Sequence, residues 1–512
     1  MKRLKYTFTI VLVAAFALGL AACDDFLDKE PSKSNNVVAS TIDHLDKLLN
    51  DPAVFYRQES YTLLTSTDDF TYFGYLHNRW KTYYPEELFY FLFDHEYLQL
   101  NDSKFWVGEY NKIFYANMVL FNLDYVDGTV EQKAALKAEC HFIRAYSYHE
   151  LAQVYCLPYT EATKNELGLP LKRGLSFEET NHRGTLEETY KLIESDLEEA
   201  LKTTATLGSD RCIWRISKEA VNAFAARYYL GQNNYEEALK YANAALSSHS
   251  KLFDYNTEMT YANFTDTRTV TNNDDGTTFQ VFIQYPSSYE PTDMRGMLAW
   301  EEFYYLRVMY NAANWYLPSQ ELLGIYQGEN DLRYKWHMIL DYSYRRPYLN
   351  NTLYHYPGYV FFGWTDLPSG PTTAEMVLTK AECQARLGNY QDAMNTVNVL
   401  RAKRMDNTLS ASEINLSAAS KAEAITKILE ERRREIPFSI RWFDIRRYNT
   451  NDDPADDIDE ITRSFFPYTA AGPDMTQPEI IYTLKKGSRR FATPIPNADV
   501  VSSGGKVLQN TY

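Results

Sequence analysis

Apolar residues recur along most of this chain at steps of three and four, the spacing that puts one face of a helix against a core. The pattern sets in near Ile42. In the run 102–121, Phe105, Val107, Tyr110, Ile113, Phe114 and Asn117 fall on overlapping steps, with Asp102 or Ser103 placed to cap the first turn. Trp106 lies inside this helix and is read as a core residue. Residues 131–155 form the next strong helix, closed by Cys156-Leu157-Pro158. Another starts at Thr185, where Thr185 and Glu188 match a capping box. Further on, Ile425, Ile428, Leu429 and Ile436 make an apolar stripe flanked by Glu and Arg at pairing distances.

Two segments look alike. Residues 219–246 set Ala223 and Ala226, then Leu230-Gly231, Tyr235 and Ala238; residues 375–399 repeat the theme with Ala381, Leu387-Gly388, Tyr390 and Ala393. Each is a helix, a Gly-containing turn and a second helix, in which small side chains allow close crossing and Tyr fills the notch. They resemble tetratricopeptide-type hairpins, without a continuous 34-residue period. A lone hairpin cannot bury its apolar face, so neighbours are needed, and 131–155 and 421–436 are the candidates. Between the helical blocks lie Tyr-, Pro-, Asn- and Gly-rich stretches of weak periodicity. Residues 281–285 read as a short strand, and 480–484 and 491–500 as extended. The expected fold is mostly α: a superhelix of tetratricopeptide-like hairpins with a large irregular, loop-rich ligand-binding lobe. The scaffold falls mainly in 36–250 and 373–448, the lobe mainly in 60–100, 251–372 and 449–512.

The amino terminus follows a different rule. Lys2, Arg3 and Lys5 lead into an apolar run from Phe8 to Ala22, too short for a bilayer span and flanked as a secretory leader is. It ends at Leu20-Ala21-Ala22-Cys23, which resembles the lipobox of bacterial lipoproteins. Residues 1–22 are read as signal peptide, Cys23 as the lipidated first residue of the mature chain, and 24–35 as a polar stalk. Lipid would then tether a body that does not span the membrane.

The net charge of −16 becomes more negative once the basic leader is removed, a field that repels nucleic acid and suits neutral or cationic partners. Cys140, Cys156, Cys212 and Cys383 sit in apolar or helical stretches without paired spacing and are read as buried free thiols. No GxSxG, HExxH, GxxxxGK[ST] or GxGxxG occurs, so no enzyme activity and no cofactor are expected. His141 and His149 are read as packed or surface residues. Acid pairs such as Glu86-Glu87, Asp68-Asp69 and Asp456-Asp457 suit glycoside hydrolysis in principle, but with 68 acids in the chain none is selected. Asp and Asn in 272–276 could hold calcium through oxygen, without the spacing of a defined loop, and a metal is left undecided.

Aromatic residues make up 15% of the chain, more than a core requires, which points to displayed rings. Twelve of the 28 residues in 70–97 are aromatic, ten of the 35 in 282–316 and nine of the 24 in 341–364. A flat ring covers the C–H face of a pyranose while Asn, Asp, Arg or Gln bonds its hydroxyl rim. The candidate ligand-binding residues are Trp80, Tyr83, Tyr84, Asn78, Tyr289, Trp300, Tyr304, Trp315 and Trp364, with Arg79 and Asn314 as further polar partners.

Several segments together resemble the SusD/RagB family of outer-membrane nutrient-binding lipoproteins. The strongest is 429–448, LEERRREIPFSIRWFDIRRY, whose charges are read as structural, with Trp442, Phe443 and Ile445 packing at a turn of the backbone. CDDFLDKEP after the leader, FWVGEYNKIFYANMVL, AECHFIRAYSYHELAQVYCLPY, LPSQEL and the terminal TPIP and LQNTY add weight by their order. Ahead of the second hairpin the arginine usual in the family is absent, so ligand identity is not borrowed from starch-binding relatives. The resemblance implies a non-catalytic lipoprotein at the outer membrane, facing the exterior. It would capture oligosaccharides and deliver them to a SusC-like TonB-dependent transporter. Peptide capture by the same architecture, and a structural or adhesive protein-binding role, are the alternatives.

Overall fold

A computed structural model describes residues 41–58, 60–72, 85–98, 103–176, 182–208, 212–259, 261–271, 277–286, 300–310, 316–339, 348–349, 352–353, 358–361, 366–469, 472–474 and 476–512. Its long helices start where short polar side chains satisfy the free amides of a first turn, each cap contributing about 1 kcal/mol. Helix α1 (Ile42–Leu49) is capped by Thr41 and α2 (Lys104–Asn122) by Ser103, one of the two expected caps. Helix α3 (Val130–Tyr155) opens on a capping box of Thr129 with Gln132, and α4 (Leu186–Ala200) on the expected box of Thr185 with Glu188. Helices α5 (Lys218–Gly231) and α6 (Tyr235–Ser248) form the first of the two look-alike hairpins; α7 (Thr373–Arg386) and α8 (Tyr390–Arg404) form the second. Helix α9 (Lys421–Glu435), α10 (Arg441–Tyr448) and the short α11 (Asn497–Ser502) complete the set used below.

These helices stack in sequence. Helix α2 packs on α3, α3 on α4, and α5 on α6; α6 then packs directly on α7, although residues 249–372 intervene. Helix α9 lies on α7, the neighbour that the second hairpin needs to bury its face. The crossings are close because Ala223, Ala226, Ala238, Ala381 and Ala393 are fully buried at them. The hairpin superhelix expected from the apolar spacing is therefore the fold observed.

Strands are short and attached to this frame. Strand β1 (Arg57–Gln58) pairs in parallel with β4 (Val308–Tyr310), which pairs antiparallel with β7 (Asp366–Pro368). Between them in the chain, β2 (Tyr261–Thr271) and β3 (Thr278–Pro286) form an antiparallel pair containing the expected strand, and β5 (Met338–Ile339) pairs with β6 (Gly358–Tyr359). Strands β8 (Glu460–Phe465) and β9 (Ile480–Lys485) form the last pair. Residues 491–500 are not extended throughout. Pro496, with φ −53° and ψ 129°, is the last extended residue, and helix α11 begins after it at Asn497.

Cys140, Cys156 and Cys383 are buried free thiols as expected; Cys212 is exposed, because Ile213 takes the inward position of that loop. Trp106 is buried, and His141 is held by Asp196 at 2.6 Å. No described helix is long and apolar enough to cross a membrane. The leader, Cys23 and the calcium candidates 272–276 lie outside the described residues.

Candidate functional site

Described residues from the three ring-rich stretches meet at one rim of the frame. Phe70 bridges Pro318, Thr71 N donates to Leu317 O at 3.0 Å, and Ser319 N donates to Asp69 O at 2.7 Å. Tyr359 N donates to Tyr316 O at 2.8 Å, and the Tyr316 hydroxyl donates to Met309 O in β4 at 3.3 Å. Strand pairing sets Ile339 opposite Gly358 and Tyr310 opposite Asp366. Phe361 meets Trp300 edge to face at 4.9 Å and stacks on His337 at 4.9 Å. Tyr72, Trp300, Tyr310, Tyr316, Ile339, Gly358, Phe361 and Asp366 thus gather in one collar of strand pairs, backbone hydrogen bonds and ring contacts.

Buried charge holds the collar down. Arg441 grips both oxygens of Asp68 at 2.7 Å, while Arg433 Nε donates to Asp69 Oδ1 at 2.6 Å and Phe438 N donates to Asp69 Oδ2 at 2.9 Å. Phe438 has φ 64°, a left-handed turn between α9 and α10 that turns its amide onto the carboxylate. Asp68 and Asp69 are thereby structural ligands of arginine. Asp456 and Asp457 likewise make separate salt bridges, with Arg386 and Lys486. The charge cluster of 429–448 was legible as structural; its pairing with Asp68 and Asp69, more than 360 positions away, was not.

On the other side of the collar, His337 is buried as a neutral imidazole. One ring nitrogen faces Val360 O at 3.1 Å and the other the Tyr255 hydroxyl at 3.0 Å; burial, with Arg404 nearby, lowers its pKa to about 3. Beside Phe70 and Tyr72 opens a hollow of about 370 Å³, lined also by Phe91, Gln320, Glu321 and Arg463. The Arg463 guanidinium lies 4.8 Å over the Phe91 ring and donates to the carbonyls of Thr462 and Thr67. Its pKa falls to about 10 because burial outweighs the pull of Asp68, Glu321 and Asp69. Phe70, Tyr72 and Phe91 are buried and form the apolar wall of this hollow, while Gln320, Glu321 and the Arg463 guanidinium are the polar groups able to bond a ligand's hydroxyls. Sequence reading missed this hollow, since Gln320, Glu321 and Arg463 belong to unremarkable polar stretches.

Two of the nine candidate residues are corrected. Trp300 and Tyr304 are core residues: Trp300 packs edge to face against Phe303 and Phe361, and the Tyr304 hydroxyl donates to His249 O at 2.5 Å. Both plug the loop onto the frame and offer no ring face to a ligand. Asn78, Trp80, Tyr83, Tyr84, Tyr289, Trp315 and Trp364, with Arg79 and Asn314, lie outside the described residues.

A stacked hairpin frame bearing one loop-rooted collar defines a class of helical binding scaffold. A family model described as "Starch-binding associating with outer membrane" matches residues 25–230, and the SusD family model matches residues 212–512. The chain belongs to the SusD family. Solved structures of the same fold include a SusD-like protein from Bacteroides fragilis NCTC 9343, with TM-score 0.61 and 16% identity over 94% of this chain and 99% of that one. Surface glycan-binding protein A from Bacteroides uniformis aligns with TM-score 0.59 and 16% identity over 92% and 99%. A SusD-like carbohydrate binding protein from Bacteroides vulgatus ATCC 8482 aligns with TM-score 0.56 and 17% identity over 91% and 97%. No curated protein matches the chain.

Proposed function

We propose that this protein is a surface glycan-capture lipoprotein of the outer membrane, anchored through Cys23 and facing the exterior. It binds oligosaccharide at the collar and passes it to a SusC-like TonB-dependent transporter. The observation that supports the reading is that described residues from all three ring-rich stretches, Tyr72, Tyr316 and Tyr359 among them, meet in one charge-clamped collar beside a hollow. Family membership supports it, as do the glycan- and carbohydrate-binding names of two structural relatives. In this reading Trp80, Tyr83, Tyr84, Tyr289, Trp315 and Trp364 supply stacking faces, and Asn78 supplies a hydroxyl partner. Neutral polymer suits the acidic body, because C–H and hydroxyl contacts need no opposite charge on the ligand.

The test is calorimetric titration of the mature chain, with Cys23→Ser to remove the lipid, against a panel of neutral oligosaccharides. Trp80→Ala and Trp315→Ala are expected to weaken binding by about tenfold or more, the scale of a stacking anchor. Wild-type protein that binds no member of the panel, or both variants retaining full affinity, would overturn the assignment.

A further inference from the structure

Helix α2 carries two apolar faces. Ile113, Ala116, Val119 and Leu123 are buried against α1 and α3. The other face runs Val107, Asn111, Phe114, Met118, Phe121, at alternating steps of four and three, and reaches Tyr125 just beyond the helix. Val107 is 61% exposed, Phe121 55% and Tyr125 76%. At its amino-terminal end this stripe floors a cleft of about 700 Å³, walled by Pro170 and Leu175 on one side and by α11 and Val507 on another. Exposed Val501 and Leu508 extend the apolar surface near that wall. The cleft shares no lining residue with the hollow at the collar.

We propose that residues 24–40 of the same chain lie back along α2 and cover this stripe, with Phe26 and Leu27 in the cleft and Val37 and Val38 on Phe121 and Tyr125. The described chain begins at the right place: Ile42, the first residue of α1, packs against Gly128, three residues after Tyr125. Length suffices. From Tyr125 to Val107 is about 27 Å at the helical rise, and the seventeen residues 24–40 reach about 55 Å when extended. The two apolar pairs are far enough apart to occupy both ends of the stripe at once. Lys172 lines the cleft, together with Asp499, and Lys104 and Arg173 lie near its lining residues in the chain, so Asp24, Asp25 and Asp28 would come to an end of the stripe that carries basic groups. The family match begins at residue 25, ahead of α1, so the sequence of this segment is shared with the family together with that of the body. With Cys23 lipidated, the strap would hold the anchor at the Lys104 end of α2 and so orient the body on the membrane.

The test is tryptic cleavage after Lys33, together with hydrogen exchange over residues 24–40, in the mature Cys23→Ser chain. A free peptide of residues 23–40 is the reference. Cleavage and exchange are expected to be about a hundredfold slower in the protein, and the pair Phe121→Asp and Tyr125→Asp to remove most of that protection. Val37→Asp with Val38→Asp, which leaves α2 untouched, should release the strap equally; this keeps the proposal testable where the α2 variant folds poorly. Free-peptide rates in the unmodified chain would overturn the proposal. So would protection that depends on protein concentration in a chain that sediments as a dimer, since a second copy would then cover the face.

Discussion

Arg441 clasps Asp68 at both carboxylate oxygens, Nε to Oδ1 and the terminal amine to Oδ2, each at 2.7 Å, across 373 positions of sequence. The pair ties α10, in the centre of the family's arginine-rich stretch, to the turn that leads into the collar at Phe70. Burial works to raise the Asp68 carboxyl, and Arg441 with Arg433 overcomes it, so the group stays ionised well below the usual carboxylate range. Asp68→Asn would leave a buried guanidinium without its counter-charge, a change costing about 3–5 kcal/mol. Arg441→Lys keeps the charge and loses the two-point fork, so it should be destabilising by a smaller amount. Guanidinium unfolding midpoints rank the two variants; equal midpoints with wild type would mean that the clamp does not bear on stability.

Gly370 sits where β7 turns into α7, and a Cβ there would stand 2.0 Å from Tyr305 O and 2.8 Å from Arg307 N. Both obstacles are backbone, and Gly370 N itself donates to Arg307 O at 2.9 Å, so neither side can yield without breaking the collar's strand pairing. Gly370→Ala is expected to cost about 3 kcal/mol or more as overpacking against an immovable wall. Gly324, which has open space around it, is the control: Gly324→Ala should fall within about 0.5 kcal/mol of wild type or slightly above it. Urea titration of the two variants checks the contrast.

The reach of sequence reading follows the range of the forces involved. Caps, periodicity and small-residue notches act over four or five positions. The box at Thr185 and Glu188, the start of α2 at Ser103 and both hairpins were therefore legible. Stacking of α6 on α7 was not, because 124 residues separate Ser248 from Thr373 and nothing local in either helix names the other. Ring-rich loops posed the same difficulty in the candidate site. Trp300 and Tyr304 look like their neighbours in composition, yet Phe303, Phe361 and the His249 carbonyl draw them inward, and only the folded chain brings those partners together. Helix α2 misled in another way. Steps of three and four mark an apolar stripe, but two interleaved stripes on one helix read as a single strong one, so the outward face of Phe121 went unseen.

Trp442 gives the cleanest separation of core from ligand rings. Its side chain is 1% exposed, its indole N–H donates to Gln153 O at 3.0 Å, and Phe491 lies 5.1 Å away. Trp442→Ala should cost about 3–5 kcal/mol through the lost ring and the cavity it leaves. Trp442→Phe retains part of the volume and leaves the Gln153 carbonyl without that donor, so a smaller loss is expected. Trp300→Ala, also a core change, should lower the unfolding midpoint while leaving glycan affinity of the folded fraction unchanged. A selective loss of affinity with an unaltered midpoint would return Trp300 to the ligand site.

Acid should weaken this fold in two stages, both of the same sign. Burial lowers His95 to about 4 and, with Arg404, His337 to about 3, from an ordinary histidine value of 6.5. Between 6.5 and those values the unfolded chain binds protons that the folded chain refuses, so stability falls with falling pH by up to about 1.4 kcal/mol per pH unit for each group. The second stage belongs to carboxylates. Burial works against ionisation of Glu382 and Glu431, but Arg447 and Arg386 around the first, and Arg333, Arg401 and Arg434 around the second, bring each down to about 2 from 4.5. Their contribution is complete above pH 4.5 and disappears as pH falls toward 2. The unfolding midpoint should therefore be level with respect to these groups above pH 7, decline from about 6.5, and steepen below about 4.5. A midpoint that stays constant from pH 7 to 5 would show that His95 and His337 accept protons in the folded chain, and histidine ring resonances followed across the same range would identify which one.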